Sequence, residues 1–260
     1  MDGGPSITLS TQAALTFAGG PAFPLPELAL YDDASDTWSH HLDRYADKGR
    51  EAAVWKRAQV IDTGPLMGSL FQRGKIGASP VQVEWRIYRG KPWIDCLLRL
   101  TWIERQRILK WEWNLPSKIA TREDGIMGGS LVRPANGREY PMRDWTRVRL
   151  KGIGRDAAII APEVFAVDVQ PQRIRLTLLR STIMAREDEN RPVLPRNVFS
   201  DRGEHWFRFR FWAAHRIKTE ALDEAALSWQ RPLLTASTTR GMKTKALRGT
   251  YIPSVTMDID

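Results

Sequence analysis

Cysteine is nearly missing from this sequence, with Cys96 as the single one among 260 residues. One thiol excludes an internal disulfide and any metal site built from several cysteines. Apolar runs are short as well, and none approaches the roughly 18 residues that a membrane-spanning helix needs. The first basic residue is Arg44, so no basic segment precedes an apolar stretch in the way that starts a secretory signal. We therefore expect a cytoplasmic protein with no membrane partner.

Basic residues outnumber acidic ones, but they form no continuous run. The net charge is +9, and residues 1–43 carry −6, so the remaining 217 residues carry +15. A basic segment of this size raises the question of nucleic-acid binding. Its charges are dispersed singly along predicted strands, as in Arg173, Arg175, Arg208 and Arg210, and no recognition helix or RNA-binding signature is visible. We expect no nucleic-acid partner.

Strict alternation of apolar and polar residues dominates the chain after its first 27 residues. Apolar side chains share one face over residues 81–87 and one face over residues 94–102, and Arg89-Gly90-Lys91-Pro92 between them predicts a hairpin turn. Further predicted strands lie at residues 111–115, 147–151, 158–160, 174–178 and 207–211. Many short strands and few helices predict an all-β fold, a large antiparallel sandwich of two sheets.

Two segments depart from this pattern. Residues 1–27 are rich in Gly, Pro, Ser and Thr, and predict an irregular N-terminal arm ahead of a β-sandwich domain over residues 28–260. Between Glu220 and Trp229 the apolar residues fall at helical spacing, with Thr219 as the candidate N-cap. We therefore expect one short helix near the C-terminus.

The segment from Tyr31 to His41 concentrates acids, an indole and two imidazoles without helix or strand periodicity, and it predicts a shaped loop. Asp32, Asp33 and Asp36 could supply the carboxylate pair that glycoside hydrolysis needs. Short acidic side chains more often cap turns and bind nearby backbone, and we favour that interpretation.

Histidine and tryptophan give further candidates. His40 and His41 beside the aspartates have the composition of a zinc shell. Adjacent histidines in a strand point to opposite faces and rarely bind one ion, so we expect no metal site in this chain. Indole rings suit stacking on sugars, yet most of the eleven tryptophans lie on alternating strand faces that indicate core packing. Trp38 and Trp145 do not follow this pattern and are the better candidates for stacking on a sugar.

Several segments, taken in order, carry a family resemblance. They are Asp36-Thr37-Trp38-Ser39-His40, Asp95 to Leu115 with Trp102-Ile103-Glu104-Arg105, Gly129-Ser130-Leu131-Val132-Arg133, Glu139-Tyr140-Pro141 with Trp145, Leu176-Thr177-Leu178-Leu179-Arg180-Ser181, Asp201-Arg202-Gly203-Glu204-His205-Trp206-Phe207, and His215. The series resembles the C-terminal β-domain of glycoside hydrolase family 38, the α-mannosidases, over roughly residues 28–235. Gln230-Arg231 departs from the family, where an Asn is expected.

The resemblance implies a two-sheet supersandwich related to the galactose-mutarotase fold, in agreement with the strand pattern. It also implies a partner, because the family's N-terminal α/β barrel supplies the zinc, its ligands and the nucleophilic carboxylate for retaining cleavage of α-mannosides. That barrel is not found in the sequence, so we expect no cofactor in this chain and zinc in the catalytic domain. Compared with the family, the chain is expected to be a fragment or a shortened homologue.

The resemblance therefore predicts an accessory, non-catalytic β-sandwich of an α-mannosidase-like enzyme, which packs on the barrel and is inactive alone. We expect contact with sugar or barrel from six residues with planar or multidentate groups, namely Asp36, Trp38, His40, Arg133, Arg180 and His205. Each could serve the scaffold instead, and Arg180 could pair with Asp201. Two alternatives stay open: a standalone carbohydrate-binding or mutarotase-like module, and a nucleic-acid binder.

Overall fold

The computed structural model describes residues 4–8, 13–38, 43–45, 48–185, 193–194 and 196–231. These residues form nineteen strands and one helix. In chain order they are β1 (Ser6–Thr8), β2 (Ala14–Thr16), β3 (Ala22–Pro24), β4 (Glu27–Asp32), β5 (Glu51–Ala52), β6 (Val54–Trp55), β7 (Gln59–Thr63), β8 (Met67–Ile76), β9 (Ser79–Tyr88), β10 (Trp93–Trp102), β11 (Arg107–Asn114), β12 (Ile119–Ile126), β13 (Gly129–Val132), β14 (Glu139–Pro141), β15 (Trp145–Leu150), β16 (Asp156–Ile160), β17 (Ala166–Gln170), β18 (Arg173–Arg180), β19 (Gly203–Ala214) and α1 (Thr219–Gln230).

Two large sheets make up most of the fold. The larger sheet has ten strands in the order β13-β12-β15-β16-β19-β10-β9-β8-β6, with β7 also paired to β8. The smaller has six, in the order β14-β17-β18-β11-β4-β5. Neighbouring strands run antiparallel in both sheets. The predicted all-β antiparallel fold class is confirmed.

The facing sides of the two sheets share one apolar core. Trp111 of β11 stacks on Phe209 of β19, with ring centroids 5.2 Å apart and planes within 2°. Trp113 meets Phe211 edge to face, also at 5.2 Å. The four rings are buried. Truncating a buried aromatic side chain to alanine costs about 3–5 kcal/mol of stability. This aromatic layer therefore holds the sheets together.

The hairpin between β9 and β10 forms where the sequence predicts it. The strands pair in register from Ile87 with Ile94 to Val81 with Leu100. In the turn, the Lys91 amide donates a hydrogen bond to the Tyr88 carbonyl at 3.2 Å. Alternate side chains of both strands enter the core, because successive residues of a strand point to opposite faces.

The described part of residues 1–27 is regular, unlike the irregular arm that its composition predicted. Strands β1, β2 and β3 form a small antiparallel sheet. Leu15, Phe17 and Phe23 of this sheet belong to the main core, and the ring centroids of Phe23 and Trp113 lie 5.3 Å apart. Strands of three residues are too short to show alternation, so packing on the core defines them. The domain boundary at residue 28 stays a prediction.

Helix α1 packs on the outer side of the larger sheet. It confirms the predicted helix, but Thr219 is not its N-cap: Lys218 takes that position with extended backbone and no side-chain capping hydrogen bond. Tertiary packing replaces the cap, since Leu222, Ala225 and Ala226 are buried in a cluster with side chains of β15 and β16. No helix among the described residues is long and apolar enough to cross a membrane.

Candidate functional site

Residues 33–38, here called the acidic loop, follow β4 and are anchored by an arginine from β18. The Arg180 Nε donates to Asp33 Oδ2 at 2.8 Å, and its Nη2 donates to Ser35 Oγ at 2.7 Å. The guanidinium also lies over the Tyr45 ring, 4.3 Å from its centroid. Asp33 is buried and its other oxygen accepts from the Ser35 amide at 3.2 Å. These aspartate contacts match the turn-capping interpretation of the loop.

The second half of the acidic loop is fixed by backbone contacts. Asp36 Oδ1 accepts the Trp38 amide at 2.9 Å, which closes a short turn. Asp36 also bridges Ile183 as an isolated parallel β-bridge, and the Thr37 amide donates to the Ile183 carbonyl at 3.1 Å. The loop is thus held rigid while the Trp38 side chain remains 64% exposed.

His205 joins the same region through Asp201. The His205 Nε2 donates to the Asp201 carbonyl at 2.7 Å, and the imidazole stacks on the Phe207 ring at 6.3 Å. The Asp201 Oδ2 accepts the Arg180 backbone amide at 3.0 Å, so this contact does not use the guanidinium as predicted. We call the three segments 33–38, 180–185 and 198–205 the seam.

A shallow groove of about 310 Å³ runs beside the seam. Its walls include Thr37, Arg180 and Asp201 of the seam, together with Glu163 and Phe165 from the loop before β17. Four apolar side chains at or next to the lining are 50–69% exposed, and we call them the rim. Phe165 lines the groove, and Trp38, Met184 and Val198 lie within two positions of the lining residues Thr37, Thr182 and Ser200. Met184 and Val198 are neighbours, since the Met184 amide donates to the Val198 carbonyl at 2.9 Å. Rigid segments that display apolar side chains are typical of interaction surfaces.

The structure brings four of the six predicted contact residues into the seam: Asp36, Trp38, Arg180 and His205. Arg133 lies apart from them, after β13, where its Nη1 donates to the buried Asp124 carboxylate at 3.1 Å and to the Pro141 carbonyl. His40 lies outside the described residues. Contact of any of the six with sugar or barrel stays a prediction.

Trp145 is not available for sugar stacking, and this prediction is wrong. Its indole is buried in the cluster beneath α1, and its Nε1 donates to Asp223 Oδ1 of the helix at 2.7 Å. The pattern of β15 did not indicate this burial, because Trp145 shares a face with Arg147 and Arg149, opposite the face of Val148 and Leu150 that enters the main core. Tertiary covering by the helix makes the difference.

A buried charge network on the outer side of the six-stranded sheet was not predicted. Lys110 Nζ donates to Asp168 Oδ2 at 3.0 Å, and the Arg175 Nε donates to Asp168 Oδ1 at 2.7 Å. Glu112 accepts from the Tyr31 hydroxyl and from Arg50. In sequence, Lys110 and Glu112 alternate with core residues of β11 and indicate a solvent-facing side. In the structure both side chains are buried: Lys110 contacts Asp168 and Thr177, and Glu112 contacts Arg50.

Burial also changes the titration of this network. Desolvation raises the pKa of the Tyr31 hydroxyl above its ordinary value of 10.0, and the hydrogen bond to the Glu112 carboxylate raises it further. Burial is the largest single influence on the pKa of Arg175 and lowers it, but the charge and hydrogen bond of Asp168, together with Tyr31, leave the net pKa raised. Both groups keep their neutral pH form, which is typical of a structural network.

The comparisons with known proteins agree with the resemblance. The model of the Glycosyl hydrolases family 38 C-terminal domain matches residues 23–190. Two solved structures from Enterococcus faecalis have a similar fold: a protein in the glycosyl hydrolase family 38, with a TM-score of 0.71, and an alpha-mannosidase of strain V583, with a TM-score of 0.74. No curated protein matches the sequence.

The two structures are each 11% identical to this chain, which shows the fold alone. They match 91% and 94% of the chain, whereas the chain spans 32% of each of them. The family model covers well over half of the sequence. The ordered segments thus indicated the correct family, and this chain belongs to the glycosyl hydrolases family 38 C-terminal domain family.

Proposed function

We propose that this chain is the accessory, non-catalytic β-sandwich of an α-mannosidase-type glycoside hydrolase, and that the groove and its apolar rim pack on the catalytic domain. The observation that carries the proposal is the rim itself. Trp38, Phe165, Met184 and Val198 are more exposed than apolar side chains on a covered surface, yet they extend from segments fixed by hydrogen bonds. A preformed apolar surface loses little conformational entropy when a partner covers it.

The carboxylates of the seam do not suit acid–base catalysis. Asp33 accepts from Arg180 and Ser35, and the side chains of Asp36 and Asp201 accept backbone amides. The remaining seam carboxylate, Glu204, pairs with Arg99. A retaining glycosidase needs two carboxyl groups facing each other across a sugar site. We therefore assign the chemistry to the partner domain.

Zinc also belongs with the partner in this proposal. Among the described residues, no group of three or more His, Cys, Asp or Glu side chains could hold a metal ion. A catalytic zinc needs about three protein ligands. The described residues do not offer such a set, and no step of the reaction is assigned to them.

An activity assay gives the first test. The 260-residue chain should show no turnover of a chromogenic α-mannoside, with or without added zinc. Appreciable turnover would overturn the accessory role. The DNA upstream of Met1 gives the second test, since a reading frame for a barrel with Asp and His zinc ligands is expected there and an unrelated frame would count against the proposal.

The interface itself is tested with the catalytic domain encoded there, co-expressed with this chain. Trp38→Ala and Phe165→Ala should weaken the complex measured by sedimentation or size exclusion, because they remove exposed aromatic area at the rim. Leu227→Ala is a matched control, since Leu227 is an exposed apolar residue on α1, away from the groove. Equal effects of rim and control variants would exclude the groove as the interface.

A standalone carbohydrate-binding module is the second candidate. The observation that favours it is the exposed indole of Trp38, which directly follows Thr37 of a groove lined by carboxylates and a guanidinium. Such a combination suits a sugar ring. Calorimetric titration with mannose and mannobiose separates the two. Millimolar or tighter binding that Trp38→Ala abolishes supports the module, and absence of heat supports the accessory role.

A further inference from the structure

A second cleft, larger than the groove, lies between the small N-terminal sheet, the β9–β10 turn and the end of β19. Its volume is about 840 Å³, within the range of sites for small molecules, about 300–1,000 Å³. Four basic side chains line it, those of Arg89, Lys91, Arg155 and His215, and no Asp or Glu is among its lining residues. The charged side chains among the described lining residues are therefore all basic.

Arg155 is the key residue of this cleft. Its Nη2 donates to the Ala18 carbonyl at 2.9 Å, whereas its Nη1 is buried and has no hydrogen-bond partner. None of the ion pairs among the described residues involves Arg155. Gly20 lies directly against the guanidinium, because a Cβ there would be 2.7 Å from Nη1. The guanidinium thus packs on the backbone of residues 18–20 and has no ion-pair partner among the described residues.

Such an arrangement is unfavourable unless something completes it. Buried polar groups are nearly always hydrogen-bonded, and an unsatisfied charged donor costs more than a neutral one. Three arginines that are more deeply buried than Arg155 have carboxylate partners: Arg122 has Asp124, Arg175 has Asp168 and Arg210 has Asp95. Arg155 differs from them and faces a cleft of ligand size.

We propose that this cleft binds a small oxyanion-bearing molecule, such as a phosphorylated or carboxylated sugar, with Arg155 as the main charge partner. Phosphate and carboxylate groups accept the parallel N–H bonds of a guanidinium in bidentate fashion. Arg89 and Lys91 add positive potential, which the walls of a cleft concentrate. The volume exceeds that of a bare phosphate, so the rest of the molecule occupies the apolar part beside Ile87 and Ala213. This site is independent of the groove and of the proposed function.

Titration of the full chain with inorganic phosphate tests the proposal by calorimetry at constant ionic strength. Glucose 6-phosphate and glucose are titrated in parallel. Binding of both phosphate compounds, with glucose silent, is expected. Tighter binding of glucose 6-phosphate identifies a phosphorylated molecule as the ligand class, and equal affinities identify the anion alone.

Three variants locate the site. Arg155→Gln should weaken phosphate binding by roughly tenfold or more, since it removes the charge-assisted contact. Arg89→Gln at the exposed rim should weaken it by a smaller factor without a risk to folding. Arg57→Gln is the matched control, an exposed arginine outside the cleft that should leave the affinity unchanged. A melting curve for each variant checks that it is folded.

The proposal fails if phosphate and glucose 6-phosphate give no heat up to several millimolar. It also fails if Arg57→Gln lowers the affinity as much as Arg89→Gln, because binding would then follow the overall charge of the chain. A folded Arg155→Gln variant with unchanged affinity would overturn it as well. None of these outcomes affects the accessory role of the groove.

Discussion

On the outer side of the six-stranded sheet, Lys110 and Arg175 share the Asp168 carboxylate, and Arg180 reaches Asp33. At the cleft, Arg155 donates to a carbonyl and has no carboxylate partner among the described residues. The side chains are of the same kind, and both regions partly exclude water. They differ in whether the fold itself supplies the anion.

This difference separates structural charge from charge available to a ligand. A buried cation that is paired within the fold has a structural role and is not available to a ligand, because removing its partner leaves a desolvated charge. A cation that the fold encloses without a partner can gain free energy from an external anion. Substitutions in the charge network of the six-stranded sheet should therefore lower the stability of the protein. Substitutions in the cleft should mainly weaken the binding of an anion.

The largest effect is expected at Asp168. Asp168→Asn removes the anion shared by Lys110 and Arg175 while it keeps the shape of the side chain, and should lower the free energy of unfolding by about 3–5 kcal/mol. Urea denaturation measures this value. Asp43→Asn is the control, since Asp43 pairs with Arg138 at the surface and such pairs contribute about 0–1 kcal/mol. Similar losses for both variants would contradict the structural role of the network.

A smaller loss is expected at the acidic loop. Arg180→Gln should lower the free energy of unfolding by about 2 kcal/mol, because the buried Asp33 carboxylate loses charge-assisted donors. The double-mutant cycle with Asp33→Asn gives the sharper result. Asp33→Asn should cost much less in the Arg180→Gln background than in the wild type, and additive losses would show that the two side chains do not interact.

At the cleft, Gly20→Ala should affect binding more than folding. The added methyl group would lie 2.7 Å from the Arg155 Nη1, so the flexible end of the guanidinium must move. The expected cost is about 1 kcal/mol of stability, the value of the lost bond to Ala18, with phosphate affinity reduced several-fold. Gly129→Ala is the control, since nothing lies within 4 Å of a Cβ there. Unchanged phosphate affinity in folded Gly20→Ala would break the link between Arg155 and the ligand.

The smallest effect concerns alkaline pH. The folded state raises the pKa of Tyr31, so the unfolded chain releases this proton first. The contribution of the Tyr31 hydroxyl to the free energy of unfolding is fully present below pH about 10. It is lost as the pH rises from there toward the folded-state pKa. The free energy of unfolding should thus fall less steeply between pH 9.5 and 11, values set by the ordinary tyrosine pKa of about 10, in Tyr31→Phe than in the wild type. Identical slopes would show that the burial does not perturb this hydroxyl.

The sequence pattern predicted the core-facing strands well, but it predicted poorly the elements that pack on the two large sheets, namely β1 to β3 and the start of α1. The alternation of β9 and β10 and the turn between them appear as predicted. Strands β1 to β3 were missed because three residues with no alternation leave no periodic signal. The N-cap at Thr219 was wrong because packing of α1 on the larger sheet, and not a cap, sets where the helix begins.

The candidate site shows the same division. Asp36, Trp38, Arg180 and His205 come from three separate parts of the chain that the structure brings together, and their contact with sugar or barrel stays a prediction. The partner of Arg180 could not be predicted, because Asp33 is 147 positions away in the sequence. The cleft around Arg155 left no motif at all, since its basic residues come from separate turns and strand ends.

By itself the sequence determined which side chains of the longer strands, such as β9 and β10, enter the core, because successive side chains of an extended chain alternate between faces. It also determined the family, through the order of several weak motifs. Only the tertiary structure decided which charges are paired and which remain available. Pairing depends on distances of about 3 Å between atoms of elements far apart in the chain, and these distances exist only after the two sheets, the acidic loop and the helix have packed.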